Sequence, residues 1–134
     1  MRIDRLDHLV LTVADLTRTI DFYAGVLGME EVTFEDGRKA LAFGRGKINL
    51  HEAGHEFEPK ARQAVPGSAD LCFITEDPLD EVIATLREHG VAILEGPVDR
   101  TGAVGTIRSV YVRDPDGNLV EISNYQFLYR SPVR

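Results

Sequence analysis

The sequence predicts an α+β fold in which one β-α-β-β-β unit is used twice in a single domain. Three observations predict it. Adding 62 to His8, Leu9, Asp15, Ile20 and Gly28 gives Asp70, Leu71, Asp77, Val82 and Gly90, which match in character as strand head, strand apolar residue, helix cap, helix core and helix stop. Each of these half-units is followed by segments that read as three strands. The run Asp114-Pro115-Asp116-Gly117 is a tight turn leading directly into the apolar strand Leu119–Ser123, which carries Glu121 at its middle.

The elements follow in order. Residues 7–13 are rich in Leu and Val and read as a strand with His8 at its head. Asp15 is placed as an N-cap, and Leu16, Ile20, Phe22, Tyr23, Val26 and Leu27 make an amphipathic helix that Gly28 stops. Strands are expected at 29–34, 38–43 and 46–52, with the turn Glu35-Asp36-Gly37 between the first two. Residues 53–68 hold Gly54, Pro59, Pro66 and Gly67 and read as a polar loop that can act as a lid. The second unit brings strands at 69–75 and 91–95 around a helix over 78–89, with Pro78 in its first turn and Gly90 at its end. A glycine-rich loop (Gly96, Gly102, Gly105) that can gate a cavity precedes strands at 106–113 and 118–123. The boundaries are a first module over about 4–55, a linker over 56–67, a second module over about 68–124 and a tail over 125–134, whose Tyr125, Phe127, Leu128 and Tyr129 are expected to pack on the domain.

Composition narrows the function. A chain of 134 residues with 43% hydrophobic and 28% charged residues is globular. Its net charge of −7 argues against nucleic-acid and anionic-membrane partners, and an anionic substrate would need a local positive centre such as a metal. The single cysteine, Cys72, rules out an intrachain disulfide and fits a reducing cytoplasm. Met1–Arg5 has no apolar signal region, and no run approaches a membrane span. The expected partners are a small-molecule substrate and a second copy of the chain, since such modules leave sheet edges to cover.

Successive side chains on a strand face opposite ways. Leu9, Leu11, Val13, Ile48, Leu50, Leu71, Phe73, Val110, Val112, Val120 and Ile122 then suit packing under the helices. The opposite set is His8, Asn49, His51, Asp70, Cys72, Ser109, Tyr111, Arg113 and Glu121. A carboxylate in an apolar strand is costly unless paired, and a metal ion is one such partner. Two imidazoles and a carboxylate suit Fe, Mn, Ni, Co or Zn, with open positions for substrate. Arg108 falls on the other parity and reads as surface. His55 and His89 read as solvated, the latter at a helix C-terminus. Cys72 has no evident activating neighbour.

The segments Asp7–Leu16, Phe22–Met29 and Tyr111–Ile122 resemble those of the vicinal oxygen chelate superfamily, which includes glyoxalase I, fosfomycin-resistance thiol transferases, extradiol dioxygenases and bleomycin-binding proteins. Lys47–Glu52 and Pro66–Cys72 bring the likeness nearest to its small glyoxalase-domain or "virulence protein" group. The resemblance implies paired βαβββ modules forming an eight-stranded, incompletely closed barrel. It also implies a divalent metal held from strands 1, 4, 5 and 8. His8 and Glu121 fall on the strand-1 and strand-8 ligand positions. Asp70 stands at strand 5, where the metal enzymes usually have His. Asn49 aligns with the strand-4 position, and His51, two residues on, is the candidate to replace it. The expected roles are therefore His8, His51 and Glu121 as metal ligands, Glu121 and Asp70 as catalytic carboxylates, and Tyr111, Arg113 and Asn49 as substrate contacts. The expected chemistry is of the lyase or isomerase type, with extradiol-type oxygen cleavage next. The rival is a metal-free module that sequesters a small molecule.

Overall fold

The computed structural model describes residues 1–126, so Phe127, Leu128 and Tyr129 lie outside the described residues. Its elements run β1 (His8–Val13), α1 (Leu16–Ile20), β2 (Glu30–Phe34), β3 (Arg38–Phe43), β4 (Gly46–Glu52), β5 (Asp70–Ile74), α2 (Leu79–Glu88), β6 (Glu95–Thr101), β7 (Thr106–Arg113) and β8 (Leu119–Tyr125). The expected β-α-β-β-β unit is present twice. Each copy makes one four-stranded mixed sheet, ordered β1-β4-β3-β2 in the first and β5-β8-β7-β6 in the second. The outer pairs β1–β4 and β5–β8 are parallel and the other pairs antiparallel. The chain divides into two compact units, Met1–Ala69 with Pro115–Gly117, and Asp70–Asp114 with Asn118 onward.

In the first unit, Asp15 caps α1 as expected, its carboxylate accepting the Arg18 N–H at 3.0 Å. The single helix read from the sequence is in fact two kinds of turn: α1 continues as a π-helix over Asp21–Val26. The wider turn lets the neighbouring rings Phe22 and Tyr23 both bury, packed edge to face at 5.0 Å. They join Leu11, Val13, Leu41, Ile48 and Leu50 on the helix side of the sheet. In the second unit, Leu86 of α2 is buried with Val110, Val112, Val120 and Ile122. Each such side chain contributes about 1.5–3 kcal/mol when fully removed from water.

One element is misplaced by the sequence reading. Residues 91–94 are not a strand; Val91 N–H closes the end of α2 on Leu86, and β6 begins at Glu95 and runs through the glycine–proline pair to Thr101. A Pro is tolerated there because β6 is the sheet edge and its register shifts between Glu95 and Val98. The glycine-rich loop shrinks accordingly to the turn before β7, where Tyr125 accepts the Val104 N–H. The turn before β8 is as read: Gly117 has φ 87°, and Asp114 accepts both the backbone and side-chain amides of Asn118, at 2.9 and 2.8 Å. No helix is long and apolar enough to cross a membrane among the described residues.

Candidate functional site

The face of the second sheet away from α2 is built in rows. Pairing of β5 with β8 and of β8 with β7 sets Cys72, Glu121 and Tyr111 side by side, and β6 extends the row with Glu95. The next row is Ile74, Ser123 and Ser109. Asp70 and Arg113 flank Leu119 in the row on the other side, both exposed. The parity grouping of Asp70, Cys72, Ser109, Tyr111, Arg113 and Glu121 on one face is thus correct.

Glu121 is half-buried. Ser109 Oγ donates to its Oε2 at 2.5 Å, and Ser123 Oγ lies 3.5 Å from the same oxygen. An ionised carboxylate only accepts, so the Ser109 proton points at Glu121 and Ser109 must accept from Ser123, 2.6 Å away. Ser123 in turn is 3.5 Å from Cys72 Sγ. Both serines are fully buried, so this chain of hydroxyls has no water to turn to. Among the described residues no cation forms an ion pair with Glu121. Desolvation first, and then the Glu121 charge, push the Cys72 thiol above its ordinary pKa, which agrees with its reading as an unactivated thiol.

Tyr111 adds a donor. Arg100 Nε donates to its phenol oxygen at 2.9 Å, while Arg100 also holds Glu95 at 3.2 Å. The phenol oxygen therefore accepts on one side, leaving its own proton to donate. Desolvation, with the Glu121 charge, raises the Tyr111 pKa and keeps that proton in place at neutral pH. Arg100 and Glu95 escaped the sequence reading because β6 was placed too early.

In the first unit the corresponding face carries His8, Val10 and Thr12 on β1 beside Lys47, Asn49 and His51 on β4. His8 is exposed, with Nδ1 2.9 Å from Asp7, whose carboxyl this bond chiefly holds below its usual pKa. His51 is buried, its ring edge-on to Phe57 at 5.4 Å, and burial is the main cause of its lowered pKa. The register pairs Val10 with Asn49 just as it pairs Cys72 with Glu121, so Asn49 is the repeat equivalent of Glu121 and His8 of Asp70.

That register corrects the metal set drawn from parity. His8 pairs with Lys47, and His51 lies four residues further along the ladder, about 13 Å at strand spacing. Two imidazoles on one ion need their nitrogens about 4 Å apart. The structure does not bring His8 and His51 together. Among the described residues no group of three or more His, Cys, Asp and Glu side chains is placed to hold a metal ion. The set His8, His51 and Glu121 does not fit one ion within a chain.

A family model described as the Glyoxalase/Bleomycin resistance protein/Dioxygenase superfamily matches residues 5–122. The chain belongs to that superfamily. It is 61% identical over 125 residues to Virulence protein STM3117 of Salmonella typhimurium, covering 93% of this chain and 87% of that one. The crystal structure of that protein superposes with a TM-score of 0.92 over 93% of this chain and 99% of that chain. Glyoxalase domain-containing protein RDO1 of Mycosarcoma maydis is 60% identical over 121 residues, 90% of this chain and 68% of that protein. TnmS3, an antibiotic binding protein from Streptomyces sp. CB03234, superposes with a TM-score of 0.71 at 26% identity over 94% of this chain and 99% of that chain.

Proposed function

We propose that this superfamily member is a lyase or isomerase acting on a small oxygenated molecule, with Glu121 as the carboxylate that moves the proton. The supporting observation is the state of Glu121: half-buried, bonded only by neutral hydroxyls at one oxygen, and without a cation among the described residues. Such a group is costly unless a ligand supplies a proton donor or positive charge. A substrate with a carbonyl beside a C–H bond meets both groups of the row. Glu121 takes the proton from carbon, and the Tyr111 O–H donates to the carbonyl oxygen as negative charge builds there. Returning the proton to the adjacent carbon completes an isomerisation. Ser109 positions the carboxylate and Arg100 the phenol. The metal-assisted form of this chemistry implied by the resemblance lacks an assembled ligand set in one chain, so these steps rest on the chain's own residues. Asp70 and Arg113, one row away, bracket the substrate entrance on this reading, and we place the protein in the cytoplasm as a homodimer.

The missing three-ligand group favours a second reading, a module that binds a small molecule without converting it. Titrating the protein with a panel of 2-oxoaldehydes, hydroxyketones and aromatic drugs, with and without added divalent ions, separates the two. The enzyme reading expects binding of the oxygenated compounds that Tyr111→Phe weakens. Binding confined to aromatic drugs, unaffected by Tyr111→Phe, would overturn it in favour of the module.

A further inference from the structure

The first unit carries a cluster that the proposed chemistry leaves unused. On the face shared by His8, Asn49 and His51, β3 presents Arg38, Ala40 and Ala42, and β2 presents Phe34 opposite Arg38. Ala40, which pairs with Asn49, is small and fully buried, so the middle of the face is a hollow between larger neighbours. Lys47 Nζ sits over the Phe34 ring, 4.2 Å from its centroid, and the Arg38 guanidinium stands 5.6 Å from the same centroid. Arg38 also stacks on Phe57 at 4.0 Å, and Phe57 closes on His51. Two cations are thus held at one aromatic ring by stacking rather than by tight ion pairs. The nearest carboxylate on Arg38 is Glu35, at a long 3.5 Å, and Glu30 shares the row of Lys47 two strands away. At the floor of this hollow, Asn49 Oδ1 is buried with no hydrogen-bond partner. A native structure seldom leaves a buried acceptor unpaired unless something else fills it.

We infer that this face of the first unit is a binding site for a small anion, a carboxylate or phosphate, that also carries an O–H or N–H donor. The anionic group lies between Arg38 and Lys47, and the donor reaches Asn49 Oδ1. The site supplies the local positive centre that an anion needs on a chain of net charge −7 without invoking a metal. It rests on the first unit alone and stands whether or not Glu121 moves a proton.

The test is a ¹H–¹⁵N NMR titration of the full chain with glycolate, acetate and inorganic phosphate at low and high salt. The site predicts saturable amide shifts centred on β3 and β4, weaker at high salt. Arg38→Gln and Lys47→Gln should each weaken binding by about fivefold or more, the loss expected when a charge-assisted bond is removed at a half-exposed site. Asn49→Ala should abolish the preference for glycolate over acetate. Tighter binding of phosphate than of glycolate assigns the anion as phosphate, and the reverse as carboxylate. Retained amide dispersion checks the fold of each variant, and Lys47→Arg should restore binding. Shifts that never saturate, that centre on β7 and β8, or that persist unchanged in both cation variants overturn the inference.

Discussion

Replacing Ser109 by Ala tests whether Glu121 is held by the buried serine pair. Ser109 is fully buried, donates to Glu121 at 2.5 Å and meets Ser123 at 2.6 Å. A hydrogen bond to a charged group contributes about 1.5–3 kcal/mol net. The lower end applies because Glu121 is half-buried and Ser123, 3.5 Å from the same oxygen, can turn its proton toward it. Ser109→Ala should therefore cost about 1.5 kcal/mol and Ser123→Ala about 1 kcal/mol. The two changes remove one connected network, so the double variant should fall short of the sum by about 0.5–1 kcal/mol. Urea unfolding of the four proteins at neutral pH measures this as midpoint shifts at constant m. Ser109→Ala within about 0.3 kcal/mol of the parent, or strict additivity, would refute the network.

The remaining predictions concern other parts of the structure. Burial lowers the His51 pKa in the folded state, so below pH 6.5 the unfolded chain binds the extra proton first; this share of stability is complete above about pH 6.5 and declines as pH falls toward the lowered value. Denaturant midpoints against pH should lose that decline in His51→Phe, and an unchanged profile would contradict it. The raised thiol pKa makes Cys72 alkylate more slowly at pH 8 than an unstructured cysteine peptide, and Glu121→Gln should speed it by removing a nearby negative charge; a rate equal to the peptide's would contradict the burial. Gly96 has φ 113°, and a Cβ there would run into the Ser109 carbonyl oxygen. Gly96→Ala should cost about 3 kcal/mol or more in thermal or urea unfolding, and a cost under about 1 kcal/mol would contradict the close approach.

Much of this architecture is local information. The limits of β3, β4 and β7 follow from alternation and from turns such as Glu35-Asp36-Gly37, and the side of the sheet that each residue faces follows from a period of two. How far along a strand two residues stand is not local. Pairing between β1 and β4, nearly forty residues apart, sets the row, which is why parity grouped His51 with His8 although the ladder separates them. The same pairing shows Asn49 in the place of Glu121, a relation hidden in the sequence because the helix-to-strand offset differs from the strand-to-strand one. Arg100 depended on the start of β6, where Gly96 and Pro97 read as loop but lie on an edge strand. Arg38, Lys47 and Phe34 looked like ordinary surface residues; their meeting is a product of the β2–β3–β4 register. The π-helical turn has no signal in an apolar pattern that an α-helix satisfies equally well.

The most direct test of the proposed function is carbon-bound hydrogen exchange. Small carbonyl compounds, among them 2-oxoaldehydes and α-hydroxyketones, would be incubated in D₂O with the parent protein and with Glu121→Gln, and deuterium at the carbon next to the carbonyl followed by ¹H NMR. The account predicts protein-dependent exchange on at least one compound, lost by about a hundredfold or more in Glu121→Gln, as expected when a general base is removed, while that compound still binds. Exchange at the same rate in both proteins, or a bound compound whose hydrogen never exchanges with the parent, would contradict it.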